Sequence, residues 1–157
     1  MKKIIISILP ICFIFYSIYL RKTEGPYYAG FSDPSYIYLI NSLNLAQFNG
    51  YGVGHIDHPG TPVQVFGAAV IRIIYLLKNL KDSLSEDVIY NPEYYLTELN
   101  LFSSILNAIG IFILGFTLFK LSKSLLLSLT FQLIPFLSIN LLESFSEFKP
   151  ENTVFFL

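Results

Sequence analysis

The stretch NPEYYLTELNLFSSILNAIGIFILGFTLFKL, residues 91–121, decides the fold. From residue 101 to residue 119 it carries no charge. At 1.5 Å of rise per residue such a helix covers about 28 Å, close to the hydrocarbon thickness of a bilayer. Its opening has the form of a helix start, with Asn91 as N-cap and Pro92 at the first helical position. Tyr94 and Tyr95 suit a water–lipid boundary, Gly110 and Gly115 suit close helix packing, and Lys120 and Lys123 end the run.

Working outward, residues 125–142 form a second apolar run directly after the lysines, and residues 4–20 form a third near the start of the chain. The expectation is an all-α integral membrane protein with about three transmembrane helices. A large outer loop carries interfacial helices, and residues 152–157 open a fourth span. The division is an anchor at 1–20, an outer loop at 21–98 with helices at about 34–48 and 62–80, and a hairpin with the start of a further helix at 99–157.

The composition agrees. The chain has 157 residues, 54% hydrophobic and only 13% charged, against about 25% charged in soluble domains. A net charge of −1 gives no electrostatic case for nucleic acid. One cysteine, Cys12, excludes an intrachain disulfide and a thiolate metal cluster. The first apolar run is followed by Tyr19, Leu20, Arg21 and Lys22 instead of the small residues of a cleavage site, so it reads as an uncleaved anchor.

Lysines fix an orientation. Lys2 and Lys3 precede the first span and Lys120 and Lys123 follow the second, so both ends lie in the cytoplasm and residues 21–98 face outward. Membrane lipid is the surrounding partner. The apolar segment 62–80 is placed on the outer interface; if it crossed, the parity would change and one lysine-bearing end would move outside.

The outer loop carries the chemistry. Asp33 and Pro34 read as the N-cap and first position of a helix whose stripe is Tyr36, Leu39, Ile40 and Leu43. The stretch NGYGVGHIDHPG, residues 49–60, is rich in turn formers. In TPVQ, residues 61–64, Thr61 and Gln64 have the spacing of a capping box, with Pro62 at the first position.

His55, Asp57 and His58 offer two imidazoles and a carboxylate. They suit a divalent metal, a polar contact to substrate, or a turn in which Asp57 orients a histidine; all three readings stay open. No cofactor is fixed beyond that candidate metal. Asp33 fits a helix cap and equally a general base at the membrane face. Glu151, after Pro150, sits where a helix dipole favours a carboxylate.

The order of these parts, together with FSDPSYIYLINSLNLAQ (31–47), HIDHPGTPVQVFGAAVIRI (55–73) and FKPENTVFFL (148–157), resembles the N-terminal part of GT-C glycosyltransferases. These are polytopic enzymes that use lipid-phosphate-linked sugars, among them the protein mannosyltransferases and the aminoarabinose transferases; the likeness is to bacterial members of the group.

The resemblance implies Asp33 as the catalytic acidic residue and Glu151 as a second one. Tyr36, His55, Asp57, His58 and Gln64 would contact substrate. It also implies a polyprenyl-phosphate-linked sugar as donor and the inner membrane of a bacterium as location, with the acceptor open. The family's early motif is often a pair of acidic residues, whereas Asp33 is followed by Pro34 and Ser35. The family also has more spans, so the chain is expected to be an N-terminal piece that is inactive alone. The alternatives are a small non-enzymatic membrane subunit and an outward-facing metal-binding membrane protein.

Overall fold

The computed structural model describes residues 2–29, 35–54, 61–78, 83–138, 142 and 148–150. Among them the regular structure is helical. The α-helices are α1 (Lys2–Glu24), α2 (Ser35–Ala46), α3 (Thr61–Lys78), α4 (Leu84–Tyr90), α5 (Pro92–Ser122) and α6 (Leu125–Gln132). Short 3-10 turns occur at Tyr27–Ala29, Gly50–Gly52 and Ile134–Phe136.

Three helices are long and apolar enough to cross a membrane: α1 from Ile4, α3 and α5. The number is the one expected, but the membership differs. The run 125–142 was expected to be one span, yet α6 ends at Gln132 and gives way to the 3-10 turn at Ile134–Phe136. Pro135 supplies the reason, since it has no N–H to continue the helix and its ring opposes the preceding turn. Its place among the apolar helices is taken by α3, which was expected to lie on the interface. Its contacts are with α2 and with the opening turns of α5.

α1 and α5 run antiparallel. Ser17 Oγ and Ser104 Oγ lie 2.7 Å apart. Further along, the Gln132 amide donates to Ile6 O at 3.0 Å and Ile111 O at 3.1 Å. Moving from Ser17 back to Ile6 thus means moving forward along α5, which brings the first turn of α1 and the lysine-bearing end of α5 to one end of the bundle. α6 closes against α5 where Gly115 lets it approach: Ser128 Oγ donates to Gly115 O at 2.6 Å, and a Cβ on Gly115 would stand 2.3 Å from Gln132 Nε2. Interhelical hydrogen bonds of this kind contribute about 0.6 kcal/mol each on average in lipid. α5 stops at Lys123, whose φ of 57° is the left-handed conformation common after a helix.

The other end is a small helical cap. One hydrophobic cluster joins Leu39 and Leu43 of α2, Val63, Ile71 and Ile74 of α3, Val88 of α4, and Tyr95, Leu96 and Leu99 of α5. The closest approach is at Gly67, where an added Cβ would stand 2.3 Å from Ser42 Oγ and 2.9 Å from the Phe148 ring. The buried residues of α2 are Ser35, Tyr38, Leu39, Asn41, Ser42, Leu43 and Ala46. Their face is rotated from the expected stripe, so that Ile40 is exposed. The reason is the α3 contact, which selects the small Ser42 and Ala46 for the side that approaches Gly67. A second cluster, Phe13, Ala108, Ile111 and Leu142, fills the space between α1 and α5.

Candidate functional site

Two polar clusters occupy the cap end. The first is centred on Glu93, in the first turn of α5, where the helix dipole favours a negative charge. Its Oε2 accepts the backbone N–H of Tyr27 at 3.1 Å, and its Oε1 accepts the Tyr36 hydroxyl. Tyr27 Oη donates in turn to Leu96 O at 3.1 Å, and the Arg21 guanidinium stacks 4.0 Å over the Tyr27 ring. Burial, the hydrogen bond to Glu93 and the Glu93 charge push the Tyr36 hydroxyl up to about 12. Burial also raises Tyr27, with Arg21 opposing and Glu93 reinforcing. Both phenols therefore stay protonated donors, and one carboxylate ties the connection after α1 and the start of α2 to α5.

The second cluster is centred on Asp87 in α4. Lys78 Nζ donates to both carboxylate oxygens, at 3.0 and 2.8 Å. The Tyr95 hydroxyl also donates to Asp87, as does Asn91 Nδ2 at 3.2 Å. Burial alone would raise the Asp87 carboxyl; the bonds from Lys78, Tyr95 and Asn91 together with the Lys78 charge outweigh it and hold it below the usual carboxylate range. Lys78 Nζ also lies 4.7 Å over the Tyr94 ring. Asn91 does not cap α5 with its side chain as expected, because its amide is turned back to Asp87. Tyr95, expected at the lipid boundary, is fully buried.

Of the residues singled out in the sequence, Tyr36 and Gln64 are described; Asp33, His55, Asp57, His58 and Glu151 lie outside the described residues. Tyr36 joins the Glu93 cluster. Gln64 is fully buried, and neither its Oε1 nor its Nε2 has a hydrogen-bond partner among the described residues. The expected capping box with Thr61 is therefore not formed. Gln64 shares the face of α3 that carries Gly67, Ala68 and Ile71 against α2, and packing draws it inward.

The described residues nearest those candidates in sequence pack on the cap. Tyr36 is held by Glu93. Gly54, just before His55, is clamped by Asn41: its N–H donates to Asn41 Oδ1 at 3.0 Å and its carbonyl accepts from Asn41 Nδ2 at 3.2 Å. Asn44 Nδ2 holds Gly52 O at 2.6 Å. Phe148, three residues before Glu151, is buried against Gly67.

Among the described residues no three His, Cys, Asp or Glu side chains meet in a way that could hold a metal. Glu93 and the Lys78–Asp87 pair were not singled out from the sequence. An acidic residue beside a proline at the mouth of an apolar helix, in a tyrosine-rich stretch, is the signal that could have found Glu93. Comparison with protein-family models, curated proteins and solved structures finds none that matches this chain.

Proposed function

We propose that the chain forms the N-terminal, outward-facing part of a polytopic membrane glycosyltransferase that moves a sugar from a polyprenyl-phosphate donor to an acceptor hydroxyl or amine. One observation carries most weight. Tyr36, three residues after Asp33, bonds to Glu93 at the start of α5; Gly54, directly before His55, bonds to Asn41 of α2; and Phe148, three residues before Glu151, packs against Gly67 of α3. Three described positions far apart in sequence are thereby held on one small cap.

In this reading the cap lies on the outer membrane face and the lysine-bearing end lies in the cytoplasm. Asp33 takes the proton from the acceptor as its oxygen or nitrogen attacks the anomeric carbon. The bond from that carbon to the phosphate oxygen breaks, and the polyprenyl phosphate leaves with the electron pair. Glu151 is a second acidic group at the site. Tyr36, Gln64 and the two histidines contact substrate, and His55, Asp57 and His58 are the set that would take a divalent cation. Buried and without a partner among the described residues, the Gln64 amide is suited to a polar ligand.

The test is sugar transfer in membranes that contain the full gene product, using a panel of radiolabelled polyprenyl-phosphate sugars. The wild type is expected to consume one donor, and Asp33→Asn is expected to lower the rate by about 100-fold or more, the lower end for losing a general base. Consumption of no donor, or an unchanged rate in Asp33→Asn, contradicts the proposal. Loss of transfer with a chelator, restored by one divalent metal, assigns the histidine group to metal.

A further inference from the structure

The bundle has a second feature at its cap end that the transfer reaction does not use. Between the last turns of α1 and the first turns of α5 lies a cavity of about 130 Å³. Ile18 and Leu101 give it apolar walls; Thr97, Asn100 and Ser104 add polar groups, and Arg21 and Lys22 come from the end of α1. Its depth is marked by the Ser17–Ser104 contact.

The polar groups here are not equivalent. Thr97 Oγ1 donates to Glu93 O at 2.8 Å, and Ser104 Oγ donates to Asn100 O at 2.9 Å. Asn100 is 3% exposed, and its Oδ1 has no hydrogen-bond partner among the described residues. A buried acceptor in that state calls for a donor, which a bound molecule can supply. The two cations differ in the same way. Arg21 is neutralised by Glu24 at 3.3 Å and stacks on Tyr27. Lys22 is exposed and pairs with no carboxylate among the described residues.

An unanswered acceptor, an unneutralised cation near it and apolar walls describe an amphiphile with a negative charge and a hydrogen-bond donor in its head. We propose that this groove binds one anionic glycerophospholipid. Its phosphate sits at Lys22, a head-group hydroxyl donates to Asn100 Oδ1, and its acyl stem lies against Ile18 and Leu101. The cavity is of the size of a glycerol-phosphate head. A lysine near the membrane surface attracts such lipids in any case; the buried Asn100 oxygen turns attraction into selection. This inference rests on the membrane placement of α1 and α5 and not on glycosyl transfer.

The full chain, purified in detergent, is offered equal amounts of phosphatidylglycerol and phosphatidylcholine, and the lipids it retains are counted by native mass spectrometry. Phosphatidylcholine has the phosphate but no net charge and no head-group donor. Retention of phosphatidylglycerol is expected to exceed that of phosphatidylcholine by roughly tenfold. Lys22→Gln, an exposed change that leaves packing alone, and Asn100→Leu should each reduce that preference. Lys123→Gln, at the opposite end, should leave it intact. Equal retention of the two lipids overturns the proposal, as does a preference that survives Lys22→Gln or falls equally with Lys123→Gln. Displacement of phosphatidylglycerol by an equal amount of polyprenyl phosphate overturns the assignment of the occupant.

Discussion

Gln64 shows how a residue can fit one local pattern and be claimed by another. Its spacing from Thr61 is that of a capping box, but the same residue falls on the α3 stripe with Gly67, Ala68 and Ile71. Tertiary packing decides, and both amide atoms end up buried without a partner among the described residues. Gln64→Leu should therefore raise stability by about 1–2 kcal/mol, since a buried group that lacks a partner is costly. It should also lower sugar transfer if the amide serves a ligand. Thermal unfolding in detergent reads the first effect and the transfer assay the second. At Asp87 the direction is opposite. Its carboxyl is held below its ordinary value, so the stabilisation is fully present above about pH 4, the unfolded value, and is lost as pH falls through the lower folded value. Asp87→Asn should cost about 2 kcal/mol near neutral pH, as expected for hydrogen bonds to a charged group, and should flatten the acid side of the stability profile. Neither Asp87 nor Glu93 was legible as a hub from the sequence, because their partners Lys78, Tyr27 and Tyr36 come from other elements.

Among the elements, α5 was the most legible: its uncharged run, its Pro92 start and its lysine end are all local signals. That helices follow Pro34 and lie in the apolar segment after residue 61 was also readable, from turn residues and apolar length. The face of α2 was not, since burial there is set by where Gly67 lets α3 approach. That contact makes a sharp comparison. Gly67→Ala places a methyl group against Ser42 and Phe148, and should cost about 1–3 kcal/mol as an overpacked core does. Gly50→Ala, with nothing within 4 Å of the new Cβ, should leave thermal unfolding nearly unchanged. The break after α6 was hidden in plain view: Pro135 lies inside an apolar run whose length alone suggested a span.

In the whole molecule, antiparallel α1 and α5 put the chain start and Lys120 at one end, and Glu93, Asp87 and the α2–α4 cap at the other. Tyr36, Gly54 and Phe148, the described residues nearest the acidic and histidine-bearing segments in sequence, pack at the cap end, so the functional account depends on that end facing outward. Cys12 is the single cysteine and is exposed on α1, so Cys12→Ala gives a cysteine-free background. Single cysteines are then placed at exposed Glu86 in the cap and exposed Lys123 at the far end, and labelled in intact cells with a membrane-impermeant maleimide. The account predicts rapid labelling at position 86 and labelling at position 123 only after the membrane is permeabilised. Labelling at 123 in intact cells, with 86 protected, would contradict it.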